Sequence, residues 1–247
     1  MKQHRFFIAA EQLDGEQVSF SPEQSHQLQD VLRLRPGDRV RVFEGIEPVD
    51  RVVELTGAAV GRVVDRQSQP AEPRTRLVVY PALLQRDKFE PILQKLTEIG
   101  AAAIAPLLSA RGVVREAPDA RRRERWRAIL REAAEQCGRG VVPELVEALA
   151  FPAAVERAAA AGTVLVAFEG EKRCSVHEGL LGAEPVVSLF VGPEGGFAPE
   201  EIACAGRAHA RVVTLGPRIL RSETASPLLA ALVLYELGDL SSPGDDA

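Results

Sequence analysis

Between Val186 and Ala225 the chain twice runs through a short apolar stretch into a Gly-Pro dipeptide and then into a segment of helical spacing. The apolar runs are Val186 to Val191 and Val212 to Leu215, and the dipeptides are Gly192-Pro193 and Gly216-Pro217. Both runs are predicted as buried strands, which makes the order strand, tight loop, helix, strand, tight loop, helix. In open α/β sheets ligands sit outside the carboxyl ends of the strands, so the two loops are expected side by side at a ligand site.

The first seventy residues have a shorter period. Arg5 to Ile8 and Gln17 to Phe20 are predicted strands. A helix follows, with Ser21 as N-cap, Pro22 at its first position, Gln24 completing a capping box, and Leu28, Val31 and Leu32 as its apolar face. Pro36-Gly37-Asp38 is a turn, and Arg39 to Phe43, Val49 to Leu55 and Val60 to Val64 are further strands, with Gly45 and Gly57 near the breaks. Short strands with regularly spaced turn residues predict a small β-barrel over residues 1–70. The polar segment Gln67 to Pro73, with two prolines, is the predicted linker.

From residue 74 to 240 strands and helices alternate, which predicts an α/β domain with a mainly parallel sheet. Leu77 to Tyr80 opens it as a strand. Asp87 and Glu90 start a helix whose apolar residues Phe89, Ile92, Leu93, Leu96 and Ile99 lead to Gly100 as a stop. Ala103 to Leu107 is a predicted strand, and Arg111 to Asp119 a charged loop. Trp126, Ile129, Leu130, Ala133, Ala134 and Cys137 share one face of the next helix, which stops at Gly138. Thr163 to Phe168 is a strand closing at Glu169-Gly170, which brings a third loop to the same sheet edge. The last helix runs from about Ser222 to Glu236. Leu228, Leu229, Leu232, Val233, Leu234 and Tyr235 cover most of its circumference, which predicts burial in a core or a subunit interface. The tail from Ser241 is polar.

With 247 residues, 46% hydrophobic and 26% charged, the chain suits one large or two modest globular domains. No apolar run is long enough to span a bilayer, and the start lacks the features of a signal peptide, so the expected location is cytoplasmic with no membrane partner. Cys137, Cys174 and Cys204 lie far apart, and His4, His26, His177 and His209 show no ligand spacing; no metal is expected. The net charge of −5 argues against a nucleic-acid partner. Arg121, Arg122, Arg123, Arg125, Arg127 and Arg131 gather in one helix, which serves a solvated face and an RNA footprint equally.

Gly192, Gly195, Gly196 and Gly216 can take positive φ and admit a ligand close to the backbone. No phosphate-binding glycine motif occurs, and the charge of Glu194 inside the first loop disfavours phosphate. Hydroxyls or a cation suit it better, such as a ribose or a sulfonium.

Val191-Gly192-Pro193-Glu194-Gly195-Gly196-Phe197 and Leu215-Gly216-Pro217-Arg218-Ile219-Leu220-Arg221-Ser222-Glu223-Thr224-Ala225 closely resemble the RsmE family. These are 16S rRNA (uracil-N3)-methyltransferases of the SPOUT superfamily. Val31-Leu32-Arg33 before Pro36-Gly37-Asp38, and Glu135-Gln136-Cys137-Gly138-Arg139, extend the likeness over nearly the whole chain.

The resemblance implies a PUA-like RNA-binding domain followed by a trefoil-knotted domain that binds S-adenosyl-L-methionine. The cofactor would meet Val191, Gly192, Pro193, Glu194, Gly195, Gly196, Leu215, Gly216, Ile219 and Leu220, with Phe168 and Glu169 on the ribose side. Arg221 is the first catalytic candidate and Arg5 the second. Gln136, Arg139 and Arg33 would bind substrate; otherwise Arg33 is a surface helix residue and Gln136-Arg139 a helix end. The implied partners are ribosomal RNA or the small ribosomal subunit, and a second copy of the chain in a homodimer. A SPOUT enzyme acting on a ribose 2′-hydroxyl, and a noncatalytic RNA-binding protein, remain open alternatives.

Overall fold

The computed structural model describes residues 4–68, 72–85 and 88–240. Gln69, Pro70 and Ala71 of the predicted linker, Asp87 of the predicted helix start, and the tail from Ser241 lie outside the described residues. The chain folds as two compact units: Met1–Glu72 together with Arg131–Val142, and Pro73–Leu130 together with Pro143–Ala247.

In the first unit, β1 (Arg5–Phe7), β2 (Leu13–Asp14), β3 (Gln17–Ser19), β4 (Arg39–Phe43), β5 (Val49–Leu55) and β6 (Val60–Ser68) form one mixed sheet in the order β1-β4-β5-β6-β3-β2. Alternate residues Phe6, Ile8, Val18, Val40, Val42 and Val53 point into its core, the two-residue period of a sheet covered on one face. Gln67 and Ser68 pair with Asp50 and Val49, so the predicted linker begins as strand.

Ser21 caps α1 (Pro22–His26) as its sequence predicts: its Oγ accepts from the Gln24 N–H at 3.2 Å, and Gln24 Oε1 accepts from the Ser21 N–H at 2.9 Å. The predicted apolar face fails one turn later. Gln27–Val31 is a wide π turn, closed by the Leu32 N–H on the Gln27 carbonyl at 2.9 Å. The wider turn rotates the following residues off the helical register, so Leu28 is buried while Val31 is 63% exposed.

In the second unit, β7 (Arg76–Pro81), α2 (Phe89–Ile99), β8 (Ala103–Ile104), β9 (Leu107–Leu108), α3 (Ala120–Cys137), β10 (Glu144–Leu145), β11 (Leu149–Ala150), α4 (Phe151–Ala161), β12 (Thr163–Ala167), α5 (Val176–Gly179), β13 (Val186–Val191), α6 (Pro199–Arg207), β14 (Arg211–Val213) and α7 (Ser222–Glu236) follow in order. The last turns of α3 group with the first unit. Six strands make a wholly parallel sheet, β10-β8-β7-β13-β12-β14. β13 is central and reads Val-Val-Ser-Leu-Phe-Val because both its faces are covered. Phe190 stacks on Tyr80 and meets Phe151 edge-on.

Gly100 ends α2 as expected: at φ 119 it takes the left-handed conformation that closes a helix. The single strand predicted over Ala103 to Leu107 is instead two. Pro106 has no N–H to give a ladder, so β8 joins the main sheet and β9 pairs with β11. Of the run Val212 to Leu215, only Val213 is buried, because β14 is the edge strand.

α7 is not buried all round. Ala225, Ser226, Leu229, Ala230, Val233 and Leu234 face the core of the second unit, while Leu228 and Tyr235 are 36% and 70% exposed.

Candidate functional site

The carboxyl ends of β12, β13 and β14 open into three loops. Because β12 lies between the other two strands, Phe168-Glu169 stands between the two Gly-Pro loops. Together the loops enclose a cavity of about 350 Å³. All twelve residues that the resemblance assigned to the cofactor line it: Phe168, Glu169, Val191, Gly192, Pro193, Glu194, Gly195, Gly196, Leu215, Gly216, Ile219 and Leu220. Arg221 lines it too. A groove of about 500 Å³, lined by Gly162, Thr163, Glu184 and Arg211, lies at the amino ends of the same strands, where no loops of this kind converge.

The glycines do different work. Gly196 sits at φ 68, and a Cβ there would run into the Glu169 carboxylate. Gly192 and Gly195 have ordinary backbone angles, against the expectation of positive φ; they provide close approach instead. A Cβ on Gly192 would lie 3.3 Å from the Phe197 ring, and one on Gly195 would lie 3.2 Å from the Arg111 carbonyl. Glu194 pairs with Lys88 at 3.1 Å.

Five further residues line the cavity: Arg218, Ser222 and Ala225 from the sequence motif, and Ala167 and Thr214 from the strand ends outside it. Ser222 was hidden by its place at a helix start, where serine reads as a cap. Here Arg221 is the N-cap, and the Ser222 hydroxyl donates to the Gly192 carbonyl at 2.5 Å, joining α7 to the first loop. Arg221 is 82% exposed, and its nearest carboxylate, Glu223, is 4.0 Å away. That contact is at the limit of an ion pair and leaves the guanidinium free.

Arg5 does not line this cavity. Within the first unit its Nη2 donates to Asp50 at 2.8 Å and to the Arg139 carbonyl at 2.6 Å, and its Nη1 donates to the Ala134 carbonyl at 2.9 Å. Its guanidinium lies 3.6 Å over the Phe43 ring, and the side chain is only 10% exposed. Arg139 is 3% exposed and pairs with Glu72 at 2.7 Å. A buried, paired arginine of this kind holds segments together, because removing one partner strands a charge. Gln136 and Arg33 are exposed, and Arg33 takes φ 57 just after the π turn.

The α3 arginines divide similarly. Arg123 pairs with Glu147, Arg125 with Glu90 at 2.8 Å and Arg127 with Glu124 at 3.3 Å, while Arg122 lies over Trp126. Among the described residues no group of three or more His, Cys, Asp or Glu could hold a metal, and no helix is long and apolar enough to cross a membrane.

Comparison with known proteins gives this site its context. Residues 71–234 match the model of the RNA methyltransferase domain. The chain is 33% identical to the ribosomal RNA small subunit methyltransferase E of Synechocystis over 93% of its own length and 77% of that protein's. It is 29% identical to the Bacillus subtilis protein of the same name, over 94% and 96%. Among solved structures, the methyltransferase E of Neisseria gonorrhoeae bound to S-adenosyl methionine superposes with a TM-score of 0.84 at 27% identity, covering 94% of this chain and 97% of that one.

Proposed function

The chain belongs to the RsmE family of small-subunit ribosomal RNA methyltransferases, and from that premise we propose that it transfers a methyl group from S-adenosyl-L-methionine to N3 of a uridine in 16S rRNA. The observation that carries the reading is the cavity built from three loops at the carboxyl edge of a parallel sheet. Its donor set fits the cofactor. Exposed main chain at Gly192 to Gly196 offers close approach, Leu215, Ile219 and Leu220 offer an apolar wall for adenine, and Glu169 offers acceptors for ribose hydroxyls. When bound, the cofactor supplies an electrophilic methyl group.

The protein's part is to hold the base in line and to stabilise charge. Uridine N3 must lose its proton, and the negative charge spreads onto the flanking carbonyl oxygens. Arg221 stands at the cavity with its forked donors free, so it is the group assigned to meet that charge. Arg5 has its donors engaged on Asp50 and three carbonyls, which supports a structural role. The same burial supports a structural role for Arg139, leaving Gln136 and Arg33 as the proposed substrate contacts of the first unit.

The reading extends to the rest of the family pattern: a PUA-like first unit that holds RNA, a trefoil knot through the loops of the second, and a cytoplasmic homodimer. The exposed apolar residues Leu228 and Tyr235 of α7 suit a second copy of the chain, and sedimentation at micromolar concentration tests that part. Methyl transfer is tested by mass mapping of nucleotides after incubation with unmethylated small-subunit rRNA or particles. A methyl group on uracil N3 is expected. A product on a ribose 2′-oxygen would assign a different SPOUT reaction, and cofactor binding without any product would leave an RNA-binding protein.

A further inference from the structure

A chain with a net charge of −5 repels RNA as a whole, so an RNA partner must be held by local, uncompensated cations. Most arginines of α3 are already matched by carboxylates or by Trp126. Arg111 and Arg115 differ. Both lie exposed on the loop between β9 and α3, and among the described residues neither meets a carboxylate. Arg111 Nη1 reaches the Gly195 carbonyl at 3.5 Å, and Arg115 Nη1 donates to the Ala110 carbonyl at 2.6 Å. Main-chain carbonyls leave both charges uncompensated.

The loop that carries them is fixed at its root. The buried Glu201 carboxylate accepts from the Ser109 hydroxyl at 3.1 Å, from the Ala110 N–H at 2.9 Å and from the Ala198 N–H at 2.8 Å. Ala198 directly follows the glycine loop, so one side chain ties the arginine loop to the cavity wall. The Gly112 N–H closes a turn on the Ser109 carbonyl at 3.0 Å. Arg111 is thus part of the rim beside Gly195, and on the lining itself Arg218 and Arg221 are exposed. Inside the cavity the Glu169 carboxylate stands against Gly196, while Glu194 is paired with Lys88. The exposed arginines therefore favour a phosphate on the rim rather than beside Glu169.

We propose that Arg111 and Arg115 form a phosphate-binding arm on the rim of the cavity, gripping the backbone of the RNA strand whose base enters it. The proposal rests on the cavity being the methyl-transfer site. The arm positions substrate and takes no part in the chemistry.

The test measures binding and single-turnover methylation of unmethylated small-subunit rRNA by the wild type, Arg111→Ala/Arg115→Ala, Arg111→Lys/Arg115→Lys, and Arg123→Ala/Arg125→Ala as control. Each lost phosphate contact should weaken RNA binding about fivefold at about 0.1 M salt, so the double alanine variant should lose about twenty-five-fold and show a shallower salt dependence. S-adenosylmethionine affinity and the melting temperature should not change, the lysine pair should regain most of the RNA affinity, and the α3 control should match the wild type. A double alanine variant with wild-type RNA affinity and salt slope overturns the arm while leaving the methyltransferase reading intact. So does a loss of affinity with an unchanged slope. If the wild type neither binds nor methylates the RNA, both readings fall together.

Discussion

Ser222, the first residue of α7, donates its hydroxyl to the carbonyl of Gly192 at the end of β13, thirty residues earlier. This 2.5 Å bond joins the glycine loop to the helix that follows the second Gly-Pro loop. Ser222 is 4% exposed and Gly192 is half-buried at the cavity wall, so water can replace the bond only in part. Ser222→Ala should therefore cost about 1 kcal/mol of stability, the loss of one partly shielded hydrogen bond. Cofactor affinity should fall with it, because the loop loses its clamp. Thermal melting and calorimetric titration on one preparation check the pair, and an unchanged affinity would mean the loop holds its shape without Ser222.

Gly196 sets a second test. At φ 68 an alanine is strained by about 1–2 kcal/mol, and its methyl group would also displace the Glu169 carboxylate. Gly196→Ala should weaken S-adenosylmethionine binding by about fivefold to thirtyfold, and Gly196→Val should abolish it. Calorimetry reads both. Wild-type affinity in the alanine variant would remove the loop from the cofactor site.

Arg221→Ala isolates chemistry from binding. Its side chain is 82% exposed, so the fold should not feel its loss, and the melting temperature should stay put. The single-turnover rate should fall roughly a hundredfold to a thousandfold, the effect of removing one donor from a developing anion, with cofactor affinity nearly intact. Arg221→Lys should recover only part of the rate, since the fork is lost. A well-folded alanine variant with a wild-type rate would withdraw the assignment.

Glu135 offers a pH signature in the first unit. Burial pushes its carboxyl above the ordinary 4.5, against the opposing pull of the Phe7 N–H and the Arg5 charge. The folded protein then binds this proton more tightly than the unfolded chain does. The stability it contributes is complete below pH 4.5 and is lost as pH rises through the raised folded value. Glu135→Gln keeps an acceptor for Phe7 and cannot titrate. The wild type should thus lose melting temperature relative to the variant as pH climbs from 4.5 toward neutrality. A gap between the two that stays constant across that range would show that Glu135 is not the group responsible.

What the sequence alone determined is what neighbouring residues decide among themselves. The Ser21 cap, the Gly100 stop, the strand from Val186 to Val191 and the two Gly-Pro loops each follow from contacts within a few positions, and each stands where the pattern put it. The loops also pointed to the cavity, since glycines and a carboxylate after buried strands have few structural uses.

The remaining features depend on partners far away in sequence. Arg5 and Arg139 look like free cations in a string of letters; Asp50, Glu72 and the Ala134 carbonyl take them out of circulation. Arg131–Val142 packs with the first unit although it lies well past the linker, because Val142 meets Gly45 and the Glu135 carboxylate meets Phe7. Val31 is exposed because the π turn shifts its register, and α7 keeps Leu228 and Tyr235 outside because α2, α5, β7 and β13 cover only part of its circumference. Local pattern records which residues avoid water, whereas the pairing of charges and the choice of buried face are made between segments that meet only in the folded chain.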